Sequence, residues 1–127
     1  MKNFEVWIKK AENDLKSAKK LIGGDEPLVD TAIYHTQQSA EKALKSYLIY
    51  NKVSVQKSHD LEFLVELCSE HDNKFENLHN YADKLNPYDT IFRYPSDGMI
   101  IEPDIEEVKD AIEMAEYILN FVKDKIT

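Results

Sequence analysis

The sequence is poor in helix breakers, in cysteine and in arginine. Three glycines and four prolines are spread over 127 residues, so little of the chain is forced out of regular structure, and neither a collagen-like repeat nor a low-complexity linker fits. A single cysteine, Cys68, has no partner in the chain for a disulfide, and no oxidising compartment is implied. It sits in the apolar run LEFLVELC, where a small buried thiol is expected. His35, His59, His71 and His79 show neither HxxxH nor HExxH spacing, so no metal and no cofactor is expected. Phosphate loops of the GxGxxG or GxxxxGK type are absent too. No apolar run reaches the length of a membrane span, and the opening MKNFEVWIKKAENDLKSAKK sets lysines and acids among its apolar residues, unlike a signal peptide. A cytoplasmic protein without membrane contact is the expectation.

What is present is charge and helical period. There are 24 acidic and 16 basic residues, for a net charge of −8. The charge is divided: residues 1–57 carry ten lysines against seven acids, +3, and residues 58–127 carry five lysines and Arg93 against 17 acids, −11. The acidic part repels a polyanion, so nucleic acid is expected only as a local contact. Phe4, Trp7, Ile8, Ala11, Leu15, Ala18 and Ile22 recur at spacings of three and four, which predicts a first helix with Asn3 as N-cap and Gly23-Gly24 as its stop. A second helix is expected from about Asp30 to Tyr50, with Ile33, Ala40, Leu44, Tyr47 and Leu48 inward. Ser58 or Asp60 caps a shorter one carrying Leu61, Leu64, Val65 and Cys68. A further helix starts at Asn73, where Asn73 and Glu76 have capping-box spacing, and ends at the Asn86-Pro87 pair. Pro103, Asp104 and Glu107 open the last helix, whose stripe runs Ile105, Val108, Ile112, Ala115, Leu119, Val122 and Ile126. No segment alternates at period two. The expectation is an all-α, up-and-down bundle of four to five helices forming one domain over residues 1–127, with one long loop between Leu85 and Pro103.

Two stretches depart from a plain bundle. Gln37 lies on the apolar line of the second helix, where an amide needs hydrogen-bond partners in a helix seam or a dimer seam, because an unpaired buried amide costs about 1–3 kcal/mol. Beside it, Tyr34, Gln38, Glu41 and Lys45 form the next stripe, and Glu41 and Lys45 can pair at i,i+4. The second stretch, NPYDTIFRYPSDGMIIEP, encloses an apolar, aromatic patch between turn formers and holds Arg93, the only arginine in the chain. A guanidinium presents a planar fork of donors suited to carboxylate or phosphate and to stacking on rings, and Tyr88, Phe92 and Tyr94 are rings within reach. Arg93 either docks the loop on a carboxylate such as Glu41 or holds an anion or nucleotide.

Taken together, HTQQSAEKALKSYL, then KSHDLEFLVELC, then YDTIFRYPSD before a final amphipathic helix, resemble the HEPN family, small helical proteins of bacteria and archaea, over nearly the whole chain. The resemblance implies helical bundles that dimerise, many encoded beside a minimal nucleotidyltransferase in toxin–antitoxin or related modules. It makes Arg93 the arginine of the family's RYP segment. Ribonuclease members of the wider superfamily follow their motif arginine with a nearby histidine, and a dimer joins two such motifs. Here Tyr94 to Ile100 contain none, and arginine does not readily give up a proton. The reading is therefore a homodimeric module that binds a nucleotide or a nucleotidyltransferase subunit. Arg93, Tyr94, Tyr88 and Lys45 are its ligand contacts, Gln37, Gln38 and Glu41 its supporting network, and Tyr94 is also a candidate to receive AMP. The alternative is a divergent HEPN ribonuclease acting as a dimer, with a distant histidine such as His35 or His59 in the missing place.

Overall fold

Helical periodicity in the first 22 residues becomes α1 (Asn3–Ile22), and the computed structural model describes residues 1–126. Lys2 rather than Asn3 is the N-cap: Glu5 folds back to accept from the Lys2 backbone amide at 2.8 Å. An acid at the third helical position thus does locally what the Asn3 side chain was expected to do. The next helix, α2 (Val29–Tyr50), runs antiparallel to α1. Two α2 hydroxyls record the register, Ser39 donating to the Ala11 carbonyl and Ser46 to the Phe4 carbonyl, at 2.8 and 2.9 Å. Ala11, Ala18, Ala32, Ala40 and Ala43, all fully buried, let the two helices approach closely.

After a connection through residues 51–60 comes α3 (Leu61–Ser69), capped by Asp60, which accepts from the amides of Glu62 and Phe63. Ser58 does not cap the helix; its hydroxyl accepts from the Asp60 amide at 3.1 Å. The helix expected at Asn73 is two pieces, a 3-10 turn over Asn73–Leu78 and then α4 (His79–Leu85). Its N-cap is Asp72, one residue earlier than expected, and the Asn73–Glu76 box does not form. Asp72 accepts from the Lys74 amide and pairs with Lys125 at 2.8 Å. The Lys125 contact, ahead of the backbone bond, holds its carboxyl below the ordinary range.

Asn86-Pro87 does not stop the chain from coiling: a second 3-10 turn, Asn86–Asp89, follows directly with proline near its start, where the missing N–H costs nothing. The rest of the expected loop contains a two-residue hairpin. Ser96 and Met99 exchange both backbone hydrogen bonds across Asp97 and Gly98, whose φ values are 50° and 75°. Positive φ at both central positions is the type I′ turn that an Asp-Gly pair favours. That isolated bridge is the only β pairing among the described residues. The chain ends with α5 (Ile105–Ile126), where Asp104 accepts from the Glu107 amide at 2.8 Å as its sequence promised.

The result is an all-α bundle of five helices among the described residues. The central helix α2 packs against α1, α3 and α5, and the short elements between α3 and α5 close one side. Ile33, Leu44, Leu48, Leu61, Leu64, Phe75, Leu78, Leu85, Val108 and Ile118 are fully enclosed. Among the described residues no helix is long and apolar enough to cross a membrane. Cys68 is also fully buried, and burial pushes its thiol well above the ordinary range. Native protein should therefore alkylate at Cys68 at least roughly 100-fold more slowly than protein in urea, since only opening of the core exposes a thiolate. Equal rates, followed by mass spectrometry, would show that this part of the core is open.

Candidate functional site

The N-terminal turns of α2 and the loop after α4 meet at one cleft. Backbone bonds from Ile91 to Pro87 and from Arg93 to Thr90 coil the loop. Tyr88 stacks on Phe92, with centroids 5.9 Å apart, and donates its hydroxyl to Glu107 on α5 at 2.8 Å. Burial, then the Glu107 carboxylate, pushes the Tyr88 hydroxyl above its ordinary range, so it stays a neutral donor that pins the loop to α5. Phe92 is half-buried and Arg93 exposed. The Arg93 guanidinium carbon lies 4.4 Å from the centre of the Tyr34 ring and 5.7 Å from that of Tyr94. A cation over the face of a ring is attracted by its quadrupole, about 0.5–1 kcal/mol at an exposed site. No carboxylate among the described residues lies within ion-pairing distance of Arg93. The expected grip on Glu41 is not made. Asp30, Thr31, Tyr34, His35, Phe92 and Arg93 line an open cleft of about 300 Å³.

Glu41 is occupied elsewhere. Its carboxylate accepts from Lys45 at 2.9 Å and from Gln37 at 3.3 Å, and the His59 imidazole stands 3.1 Å from both its oxygens. Gln37 also donates to the His59 carbonyl and accepts from Gln38. Glu41 and Lys45 are each 4% exposed and Gln37 is fully buried. The residues singled out in the sequence therefore separate into three places. Arg93 lines the cleft with Tyr94 beside it but outside the lining, Tyr88 anchors the loop behind it, and Lys45 sits with Gln37, Gln38 and Glu41 in an interior network. Lys45 is not presented to the cleft: its stem is enclosed and its ammonium is spent on Glu41.

Sequence reasoning did not join Tyr34 to Arg93, nor find the second polar chain beside it. Asp14 on α1, 8% exposed, receives Lys42 at 2.6 Å on one oxygen and the Nδ1 of His35 at 2.8 Å on the other. Helical spacing was the available signal, since Lys42 follows His35 by seven residues and so shares its face.

The comparisons with known proteins agree with this architecture. The HEPN domain model matches residues 4–125. The chain belongs to the HEPN family. A curated relative, the putative toxin MJ1304 of Methanocaldococcus jannaschii, is 29% identical over 98% of this chain and 91% of its own length. Among solved structures, TT1696 from Thermus thermophilus superposes with a TM-score of 0.84 at 29% identity, covering 98% of this chain and 99% of that one. ST0689, described as an archaeal HEPN homologue, gives 0.75 at 28% identity over the whole of both chains. The HEPN fold and a likeness to a toxin-type protein are thereby shown, and the Arg93 cleft is a feature of a HEPN bundle.

Proposed function

We propose that this HEPN protein is the toxin-type member of a toxin–antitoxin pair. In this reading it is a homodimeric module that binds a nucleotide phosphate at Arg93 and associates with a minimal nucleotidyltransferase. The observation that carries the reading is the unmatched fork: Arg93 is stacked on Tyr34, has no carboxylate partner among the described residues, and borders an open cleft. A guanidinium held by a ring and left free at its edge is preorganised for a bidentate phosphate contact. Tyr94, 63% exposed beside it, offers a ring to the base or a hydroxyl to a transferred AMP. The likeness to a toxin supports the biological class.

Calorimetric titration with AMP and ATP tests the binding. Arg93→Ala should weaken affinity about 10–100-fold, the worth of a charge-assisted hydrogen bond or two, and Arg93→Lys should recover only part of it. The helical circular dichroism should stay unchanged, because Arg93 supports no buried contact. Equal affinity of wild type and both variants would remove Arg93 from the site. Native mass spectrometry of protein drawn from its own host tests the partner, which should arrive as added subunit mass.

A further inference from the structure

The helix α4 packs against α5, and the seam between them opens into a cleft of about 610 Å³, twice the volume of the Arg93 cleft. Three tyrosines wall it. Tyr81 on α4 and Tyr117 on α5 meet edge to face, with centroids 5.2 Å apart, and Tyr88 stands on the 3-10 turn after α4. From α5 come Glu107, Asp110 and Glu113, with Met114 beside them. Their spacing of three continues by four to Tyr117, so the acids and a ring share one face of the helix. Lys84 is the only cation in the lining.

These acids are largely uncommitted. Tyr88 donates to one oxygen of Glu107. Asp110 and Glu113 have no ion-pair partner among the described residues, and Lys84 lies within ion-pairing distance of no acid there. The carboxylates are strung out rather than gathered: Glu107 to Glu113 covers roughly 9 Å of helix axis in steps of about 4.5 Å. No three acids, imidazoles or thiols among the described residues could hold one metal ion. A point charge is thus poorly served and an extended one well served. Such steps are close to the separation of two nitrogens joined by three methylenes. Ammonium groups donate charge-assisted hydrogen bonds to carboxylates, and their charge is drawn to the faces of tyrosine rings. The methylenes between them can lie against Met114 and the ring carbons. The lining disfavours a peptide, because its donors are Lys84 and the tyrosine hydroxyls, one of them already given to Glu107. A row of backbone carbonyls would be left unpaired there.

We infer that this cleft binds a linear aliphatic polyamine, its ammonium groups paired with Glu107, Asp110 and Glu113 and its chain covered by Tyr81, Tyr88 and Tyr117. The net charge of −11 over residues 58–127 raises the local concentration of a polycation, and the rings and the row of acids fix where it settles. The inference stands apart from the phosphate reading of Arg93, since the two clefts have no lining residue in common.

Spermidine is the probe, titrated calorimetrically into the intact protein at fixed ionic strength, beside magnesium chloride and a lysine-rich peptide of the same charge. Spermidine should bind at a single site per chain and more tightly than either. Asp110→Asn with Glu113→Gln, both exposed, should weaken it about tenfold. Glu66→Gln with Glu70→Gln, exposed on α3 and at its end, removes the same charge elsewhere and should change the affinity by less than about twofold. Tyr117→Leu should lose about two- to fivefold. Tyr117→Phe should keep the affinity, because the ring and not its hydroxyl meets the cation. Circular dichroism checks that each variant is folded. Arg93→Ala should leave spermidine affinity unchanged, so failure here and failure of the phosphate site are read separately. No spermidine binding, equal losses from the two double variants, or magnesium or peptide bound at least as tightly overturns the inference.

Discussion

Replacing Glu41 by alanine should cost the fold about 3–5 kcal/mol, the penalty for leaving one partner of a buried ion pair alone. Lys45 is then an ammonium enclosed by α2 and its neighbours, 4% exposed, with its one carboxylate gone. The Gln37 amide nitrogen keeps only its bond to the His59 carbonyl, and the imidazole of His59 loses its contact as well. Against a total stability of about 5–15 kcal/mol, the loss is large enough to read from a urea transition. The double variant Glu41→Leu with Lys45→Met should recover most of it, because a well-packed apolar pair of similar size is often as stable as the ions. This cycle also decides what Lys45 is. If it were a ligand group, Lys45→Met would lower nucleotide affinity and leave stability alone. The geometry demands the reverse order of effects. A Glu41→Ala protein within about 1 kcal/mol of wild type would mean that water reaches the pair.

How much of this was legible beforehand depends on how local each feature is. The α5 start could be read from Asp104 and Glu107 because the cap is made within four residues. The Asn73 cap could not, because Asp72 competes for the same amides one position earlier and also gains Lys125 from α5, a partner 53 residues away. Gln37 was readable as a buried amide from its place on the apolar line. Glu41 and Lys45 were not readable as buried: at i,i+4 they look like a surface pair, and only the covering of α2 by other elements encloses them. The arginine loop stood out by composition alone. That its guanidinium would settle on Tyr34 rather than on a carboxylate, and that His35 would share its cleft, depends on contacts spanning nearly 60 residues. No periodicity encodes such contacts. The family resemblance supplied the role of the arginine segment and offered His35 only beside His59 as a stand-in for the missing histidine; that His35 lines the Arg93 cleft and His59 does not is legible in the structure alone.

Phe75→Ala should be the complementary variant, severe for stability and silent at the cleft. Phe75 is fully buried in the 3-10 turn after α3. Its ring centroid lies 4.3 Å from that of Tyr47 on α2 and 5.0 Å, edge to face, from that of Phe121 on α5. One ring therefore ties three elements, and truncating it removes both its transfer free energy and its aromatic contacts while leaving a cavity that helices held elsewhere cannot close. A loss of about 3–5 kcal/mol is expected, with Phe75→Leu losing less because it refills part of the space. Tyr47 is 13 residues along α2 from Tyr34, roughly 20 Å of helix axis, so the stacking of Arg93 should not feel the change. At a temperature where the variant is still folded, its nucleotide affinity should match wild type. Arg93→Ala should show the opposite pattern, with intact melting and weakened binding. If Phe75→Ala also loses affinity while folded, the bundle and the loop are coupled through α2, and the cleft cannot be treated as a site placed upon a rigid scaffold.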